Sequence, residues 1–217
     1  MSAGGPRIAV LNYQMSNLRS VTKALELLGA RVQVAESAAQ AHGADALVLP
    51  GVGHFGQAME RIQAQGLDVL AVSAAADGVP LLGICLGLQL LFDESDESPG
   101  AQGLGLIPGS VRRLVTGRKL PQIGWNRVHW HAKSALVPED ADDSASTYYF
   151  VHSFAVVPND PAHVLGTVTY GGEFVAAAQA GHVAGVQFHP EKSSRAGLAL
   201  LGRWLASVPR RAEVTAS

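Results

Sequence analysis

The stretch Val79-Pro80-Leu81-Leu82-Gly83-Ile84-Cys85-Leu86-Gly87-Leu88-Gln89 decides how this chain is read. An aliphatic run of this length, bounded by turn formers, predicts a fully buried strand. It delivers Cys85, the only cysteine among 217 residues, to a turn flanked by Gly83 and Gly87. Glycines two residues before and after a nucleophile mark an elbow, in which a strand bends sharply into a helix and lifts one side chain above the sheet. A β-carbon at either glycine would crowd the bend. The helix dipole favours a thiolate at such a position. The competing reading is a small apolar residue in a core run, and this stretch alone leaves both open.

Upstream, Arg7-Ile8-Ala9-Val10-Leu11 reads as a short buried strand ending at polar Asn12-Tyr13-Gln14. Asn17 is placed as the N-cap of a helix whose apolar residues Leu18, Val21, Leu25 and Leu28 recur at spacings of three and four until Gly29. Val32-Gln33-Val34 and Ala46-Leu47-Val48-Leu49 follow as strands, so the order is βαββ up to Pro50-Gly51-Val52-Gly53. One helix carrying Phe55, Met59 and Ile62, and an Ala-rich one from Leu67, precede the elbow strand. The alternation predicts an α/β fold with a mostly parallel central sheet covered by helices, whose ligands sit beyond the carboxyl ends of the strands. Residues 50–53 and Cys85 both fall at such ends.

Beyond Asp93 the texture changes to an acidic run, Pro99 and several glycines, and the second half is rich in strands. Leu106-Ile107-Pro108, Val111-Arg112-Arg113-Leu114-Val115 and Gly124-Trp125-Asn126-Arg127-Val128-His129-Trp130 come first. Residues 134–147 are polar and acidic and read as an exposed loop. Residues 148–156, 164–170, 173–179 and 182–188 are successive strands, with Tyr170-Gly171-Gly172-Glu173 turning a hairpin, so this half is expected to be partly antiparallel. Ser193 or Ser194 caps a last helix with the stripe Leu198, Leu201 and Leu205. Residues 1–217 are read as a single domain with its core at 7–206 and a frayed tail after it.

A net charge of −2 leaves no basic stripe to neutralise phosphates, which argues against nucleic acid as a partner. One cysteine cannot form an internal disulfide, the opening residues lack an apolar leader, and no run of 18 apolar residues occurs, so no membrane contact and a cytoplasmic location are expected. No P-loop or dinucleotide fingerprint is present, and no cofactor is expected. His129 and His131 share one strand face without a third ligand nearby, so no metal is expected either.

A thiolate nucleophile needs a base and a group that orients the base. Of the eight histidines, His189 ends the apolar run Val183-Ala184-Gly185-Val186-Gln187-Phe188 and is followed by Pro190 and Glu191. Alone, His-Pro-Glu is a weak pattern; with the elbow it supplies nucleophile, base and orienter.

The elbow motif 83–89, the upstream Pro50-Gly51-Val52-Gly53 and the downstream Phe188-His189-Pro190-Glu191 resemble, in this order, the class I triad-type glutamine amidotransferases, whose fold is a flavodoxin-like α/β sheet. Further stretches, Asn12-Tyr13-Gln14-Met15-Ser16-Asn17-Leu18-Arg19-Ser20-Val21, Gly53-His54-Phe55, Gly124-Trp125-Asn126, Tyr149-Phe150-Val151-His152-Ser153-Phe154 and Glu191-Lys192-Ser193, are similar to the glutaminase subunits of imidazole glycerol phosphate synthase. The resemblance runs from Ile8 to Leu205. It departs at Asn12, Gln14 and Ser16, where that family usually has Asp, Gly and Gly.

The resemblance implies hydrolysis of glutamine by a triad of Cys85, His189 and Glu191, with the backbone N–H groups of Leu86 and, after a peptide flip in the Gly51-Val52-Gly53 strand, Val52 as oxyanion donors. It implies glutamine contacts at Gln89, Glu97, Gly51, Ser153 and Phe154. It also implies a heterodimer with a (β/α)8-barrel cyclase, HisF, that uses the ammonia to make imidazole glycerol phosphate and an aminoimidazole carboxamide ribotide; Asn12, Asn17, Trp125, Tyr149, His152 and Lys192 match interface positions. The alternatives are the glutaminase of an anthranilate or guanylate synthase, disfavoured by residues 53–55 and 124–126, and a non-catalytic regulatory subunit, disfavoured by the intact triad.

Overall fold

The computed structural model describes residues 4–15, 17–138 and 147–210. Its first half alternates strands and helices as β1 (Arg7–Leu11), α1 (Leu18–Leu27), β2 (Arg31–Ala35), α2 (Ala38–Ala41), β3 (Ala46–Gly51), α3 (Phe55–Ala64), α4 (Leu67–Ala76), β4 (Leu81–Cys85) and α5 (Leu86–Leu90). The order is therefore βαβαβ, not βαββ. The difference is α2, a single turn of four residues with no apolar stripe to announce it. Strands β1, β3 and β4 pair in parallel, Ile8 facing Ala46 and Gly51 facing Cys85.

Both faces of these strands are covered because alternate side chains leave on opposite sides. Ile8, Val10, Val48, Leu82 and Ile84 pack on one face with Val21 and Leu25 of α1. Ala9, Leu11, Leu47, Leu49 and Leu81 pack on the other with Phe55, Met59 and Ile62 of α3 and Leu67 and Ala71 of α4. The stripe read on α3 is thus the buried one.

The second half adds β5 (Glu94–Ser95), β6 (Gly109–Arg113), β7 (Gln122–Arg127), β8 (His129–Trp130), β9 (Thr147–His152), β10 (Phe154–Pro158), β11 (Val164–Thr169), β12 (Glu173–Ala180), β13 (Val183–Val186) and α6 (Ser194–Ser207). Among the described residues the main sheet runs β2-β1-β3-β4-β13-β12-β10-β6-β5, with β11 and β8 joined to it through β12, while β7 and β9 form a separate antiparallel pair. β13 is the hinge of the topology: antiparallel to β12, it lies parallel to β4, with Val186 opposite Ile84. The chain after β13 therefore emerges beside the chain after β4, which brings residues 187–191 to the elbow.

Several expectations are corrected here. Residues 148–156 are not one strand: the chain breaks at Ser153, and β9 and β10 join different sheets. Leu106-Ile107-Pro108 is not a strand, because the N–H groups of Leu106 and Ile107 both donate to the Leu91 carbonyl. Within residues 134–138 the chain is not fully exposed, since Leu136 and Pro138 are buried; residues 139–146 lie outside the described residues, as do Ser16 and residues 211–217 of the tail. Asn17 and Ser193 stand at the N-cap positions of α1 and α6, but neither side chain caps its helix. Ser193 is otherwise engaged: its Oγ donates to the His189 carbonyl at 2.6 Å and accepts the Tyr149 N–H at 2.9 Å.

Candidate active site

Cys85 sits at the junction of β4 and α5 with φ 57° and ψ −111°. An L-residue held at positive φ is strained, and such strain persists only where the surroundings over-determine it. The surroundings are the two glycines. A Cβ on Gly83 would lie 2.7 Å from the Gly87 carbonyl oxygen and the Leu88 nitrogen, and one on Gly87 would run into the Leu49 carbonyl. Strand, elbow and helix close on one another with no room for a methyl group. The Leu86 N–H opens α5, where a helix leaves its first donors without partners inside it.

His189 and Glu191 lie buried beside this elbow, their side chains 2 % and 1 % exposed, with Nδ1 2.8 Å from Oε1. The carboxylate accepts the Nδ1 proton, which leaves Nε2 free of protein partners. Burial opposes a positive charge on His189. Interactions with the neighbouring Cys85 sulfur and the Glu191 carboxylate override it and raise the imidazole pKa to about 9.

A cavity of about 350 Å³ opens in front of Cys85, lined by Val52, Gly53, Leu86, Gln89, Glu97, Pro121, Val151, His152, Ser153 and Phe154. The structure therefore brings together at one cavity most of the residues singled out for oxyanion and glutamine contacts. Gly51 ends β3 opposite Cys85. Glu97 accepts the Phe55 N–H through Oε2 at 2.8 Å, which holds its carboxylate at the start of α3 and leaves the other oxygen available. Gln89 is buried, and its Nε2 donates to both the Phe154 carbonyl and Gln187 Oε1 at 3.0 Å.

The far wall is not set for an oxyanion. The Val52 N–H donates to the Met15 carbonyl at 2.9 Å. Tyr13 holds the preceding turn, its hydroxyl donating to the Pro50 carbonyl at 2.8 Å from a fully buried position where burial raises its pKa. Two of the family departures, Asn12 and Gln14, lie in this support. Gln14 has φ 64°, a conformation for which glycine is the natural residue. It is held by its N–H on Asn12 Oδ1 and by Arg61 on its carbonyl, while the Asn12 amide donates to Glu36.

The six interface candidates divide. Asn17 and Lys192 are exposed, and Trp125 is 50 % exposed and packs edge-on against Tyr149 across β7 and β9 with ring centroids 6.1 Å apart. Asn12 and Tyr149 are half-buried. His152 is not on this surface: it is 6 % exposed and lines the cavity. Period 2 along β9 explains it, since Tyr148, Phe150 and His152 share the inward face. Its Nδ1 donates to the Phe154 carbonyl at 2.8 Å, its Nε2 has no protein partner, and burial, aided by His189, pushes its pKa down to about 4.

Gln187 was not singled out in the sequence, yet it is fully buried and its Nε2 lies 3.8 Å from Cys85 Sγ. The signal was present: one amide inside an otherwise apolar strand end must find hydrogen-bond partners.

The model of the class I glutamine amidotransferase family matches residues 9–205. The chain belongs to this family. The imidazole glycerol phosphate synthase subunit HisH of Moorella thermoacetica is 48 % identical over 89 % of this chain and 91 % of its own length, and that of Symbiobacterium thermophilum is 45 % identical over 91 % and 92 %. These likenesses make the chain a glutamine amidotransferase of the HisH group. Among solved structures, PurLQS from Thermotoga maritima superimposes with a TM-score of 0.74 at 20 % identity, covering 93 % of this chain and 98 % of that one. A glutamine amidotransferase crystal structure gives 0.70 at 21 %, covering 93 % of this chain and 99 % of that one. At these identities the structural neighbours speak for the fold. Among the described residues no helix is long and apolar enough to cross a membrane.

Proposed function

We propose that this chain is the glutaminase subunit of an imidazole glycerol phosphate synthase, acting as one domain in the cytoplasm, and that Cys85, His189 and Glu191 carry its chemistry. The observation that supports this reading most is the buried His189–Glu191 pair at 2.8 Å beside a cysteine strained to positive φ that lines an open cavity. The Cys85 sulfur attacks the side-chain carbonyl carbon of glutamine, forming a C–S bond and an oxyanion. The imidazolium of His189 gives its Nε2 proton to the amide nitrogen as the C–N bond breaks and ammonia leaves. Neutral His189 then takes a proton from water as that water attacks the thioester, and returns it to the sulfur as glutamate departs. Glu191 holds the ring in the tautomer this requires.

Leu86 N–H is one oxyanion donor. Val52 N–H becomes the second once its peptide turns away from Met15, and Gly51, about whose ψ that peptide pivots, gives the backbone the freedom for the turn. One such donor contributes about 3 kcal/mol to the transition state, a factor of 10² or more in rate. The resting arrangement favours a glutaminase held slow until a partner reorganises residues 13–15 and 51–53. Glu97 takes the α-amino group of glutamine through its free oxygen, and Gln89, Gly51, Ser153 and Phe154 shape the rest of the pocket. A (β/α)8-barrel cyclase docks over Asn12, Asn17, Trp125, Tyr149 and Lys192, and receives the ammonia. His152 borders the route between sulfur and partner.

Acid quenching during glutamine turnover should trap a γ-glutamyl adduct on Cys85, detected by peptide mass, and Cys85→Ser should release no glutamate. Glutamate release that survives this substitution overturns the assignment.

A further inference from the structure

A chain of amide groups runs behind the elbow, and its direction is set at one end. The Phe154 carbonyl can only accept. Gln89 lies 3.0 Å from it and must therefore present its NH₂. The same NH₂ lies 3.0 Å from the Gln187 side chain, which must answer with its oxygen. A carboxamide has two ends, so Gln187 turns its NH₂ to Cys85 Sγ, at 3.8 Å. An isolated carboxamide beside a sulfur could face it either way; here a backbone carbonyl two residues removed fixes the choice. The two glutamine side chains are shielded from water, Gln187 completely and Gln89 to within 5 %. The Gln187 backbone is fixed too, its N–H donating to the Ala176 carbonyl of β12 at 2.8 Å.

We propose that Gln187 is a further catalytic residue, donating a hydrogen bond to the Cys85 sulfur that favours the thiolate, and that Gln89 positions Gln187 for this task. This rests on reading Cys85 as the nucleophile. A donor 3.8 Å from sulfur interacts with a thiolate better than with a thiol, since only the former carries full charge. In a buried site such an interaction is little screened. The role of Gln89 then differs from that of a glutamine ligand alone: its NH₂ serves the relay, and only its oxygen is left for the cavity. The relay also explains why a polar residue stands between Val186 and Phe188, both fully buried in the core.

Because Cys85 is the sole cysteine, alkylation of the full-length protein by iodoacetamide reports on it alone. Gln187→Met keeps the side-chain length and removes the donor. It should slow alkylation at pH 7 about tenfold, shift the pH profile of the rate upward by about one unit, and leave the plateau at high pH unchanged. Unchanged rates, or an equal slowing at every pH that signals lost access, overturn the proposal. Gln89→Met, which leaves Gln187 in place but unlocks its orientation, should give a smaller shift of the same sign, about threefold at pH 7; it decides the matter if Gln187→Met does not fold, and an unshifted profile for it overturns the relay. Failure of the nucleophile reading is separate, since it appears as glutamate release by Cys85→Ser whatever the alkylation rates.

Discussion

The two parallel strand ends that border the cavity are neighbours in register, Gly51 of β3 facing Cys85 of β4, and they are prepared differently. At the end of β4 every group is held: Cys85 by a bend without space for a methyl group, His189 by Glu191, and the sulfur by Gln187. At the end of β3 the Val52 N–H is bonded away from the cavity, to Met15. A nucleophile can be built in advance at the cost of local strain, whereas an oxyanion donor turned elsewhere leaves the transition state unsupported. On the proposed reading, the contrast puts the control of this site in one peptide of the β3 end and not in the triad side of the cavity.

That contrast can be broken from either side. The largest effect belongs to the β4 end: His189→Asn should lower kcat for glutamine by about 10⁴-fold or more, measured by coupled glutamate assay on the folded protein. At the β3 end, Gly53→Ala places a methyl group 2.8 Å from Met15 Cε at φ 109°. It should lower partner-stimulated turnover about 10²-fold while leaving unstimulated turnover within about threefold, a split that a general folding defect would not produce.

The third test concerns the two buried histidines, which respond to pH with opposite sign. His189, raised to about 9, adds stability that is fully present below its unfolded value near 6.5 and is lost as pH rises through 9. His152, lowered to about 4, acts the other way: between about 6.5 and 4 the unfolded chain takes up a proton that the folded chain refuses, so stability falls as pH drops. His152→Gln should remove up to about 3 kcal/mol of this acid-side loss, read from urea unfolding at pH 7 and pH 4. The smallest effect is at the rim, where Trp125→Ala should weaken binding to a barrel cyclase about tenfold, by titration calorimetry, and leave the isolated chain's turnover alone.

Much of the parallel half was legible in the sequence because β1, β3 and β4 are largely apolar runs and α1 and α3 carry one stripe each. The tight bend at Cys85 was legible because Gly83 and Gly87 stand on either side of it. What escaped was decided by tertiary context. α2 is too short to show periodicity, and the alternation through residues 148–156 hides the change of sheet at Ser153. His152 matches an interface position by resemblance, but its period-2 companions, Tyr148 and Phe150, are core aromatics, and the alternation that turns it inward could have been counted. Gln187 carried a signal in its own apolar surroundings, but its partner, Gln89, lies 98 positions away and only the pairing of β13 with β4 joins them.

The central claim is that this chain hydrolyses glutamine through Cys85 under the control of a partner acting on the β3 end. Glutamate release should be measured for the chain alone and with a (β/α)8-barrel cyclase and its nucleotide ligand, for the wild type and for Cys85→Ser. The account predicts a rise of about 10²-fold or more when partner and ligand are added to the wild type, and none for Cys85→Ser. Equal release by the two proteins in the presence of the partner would contradict it.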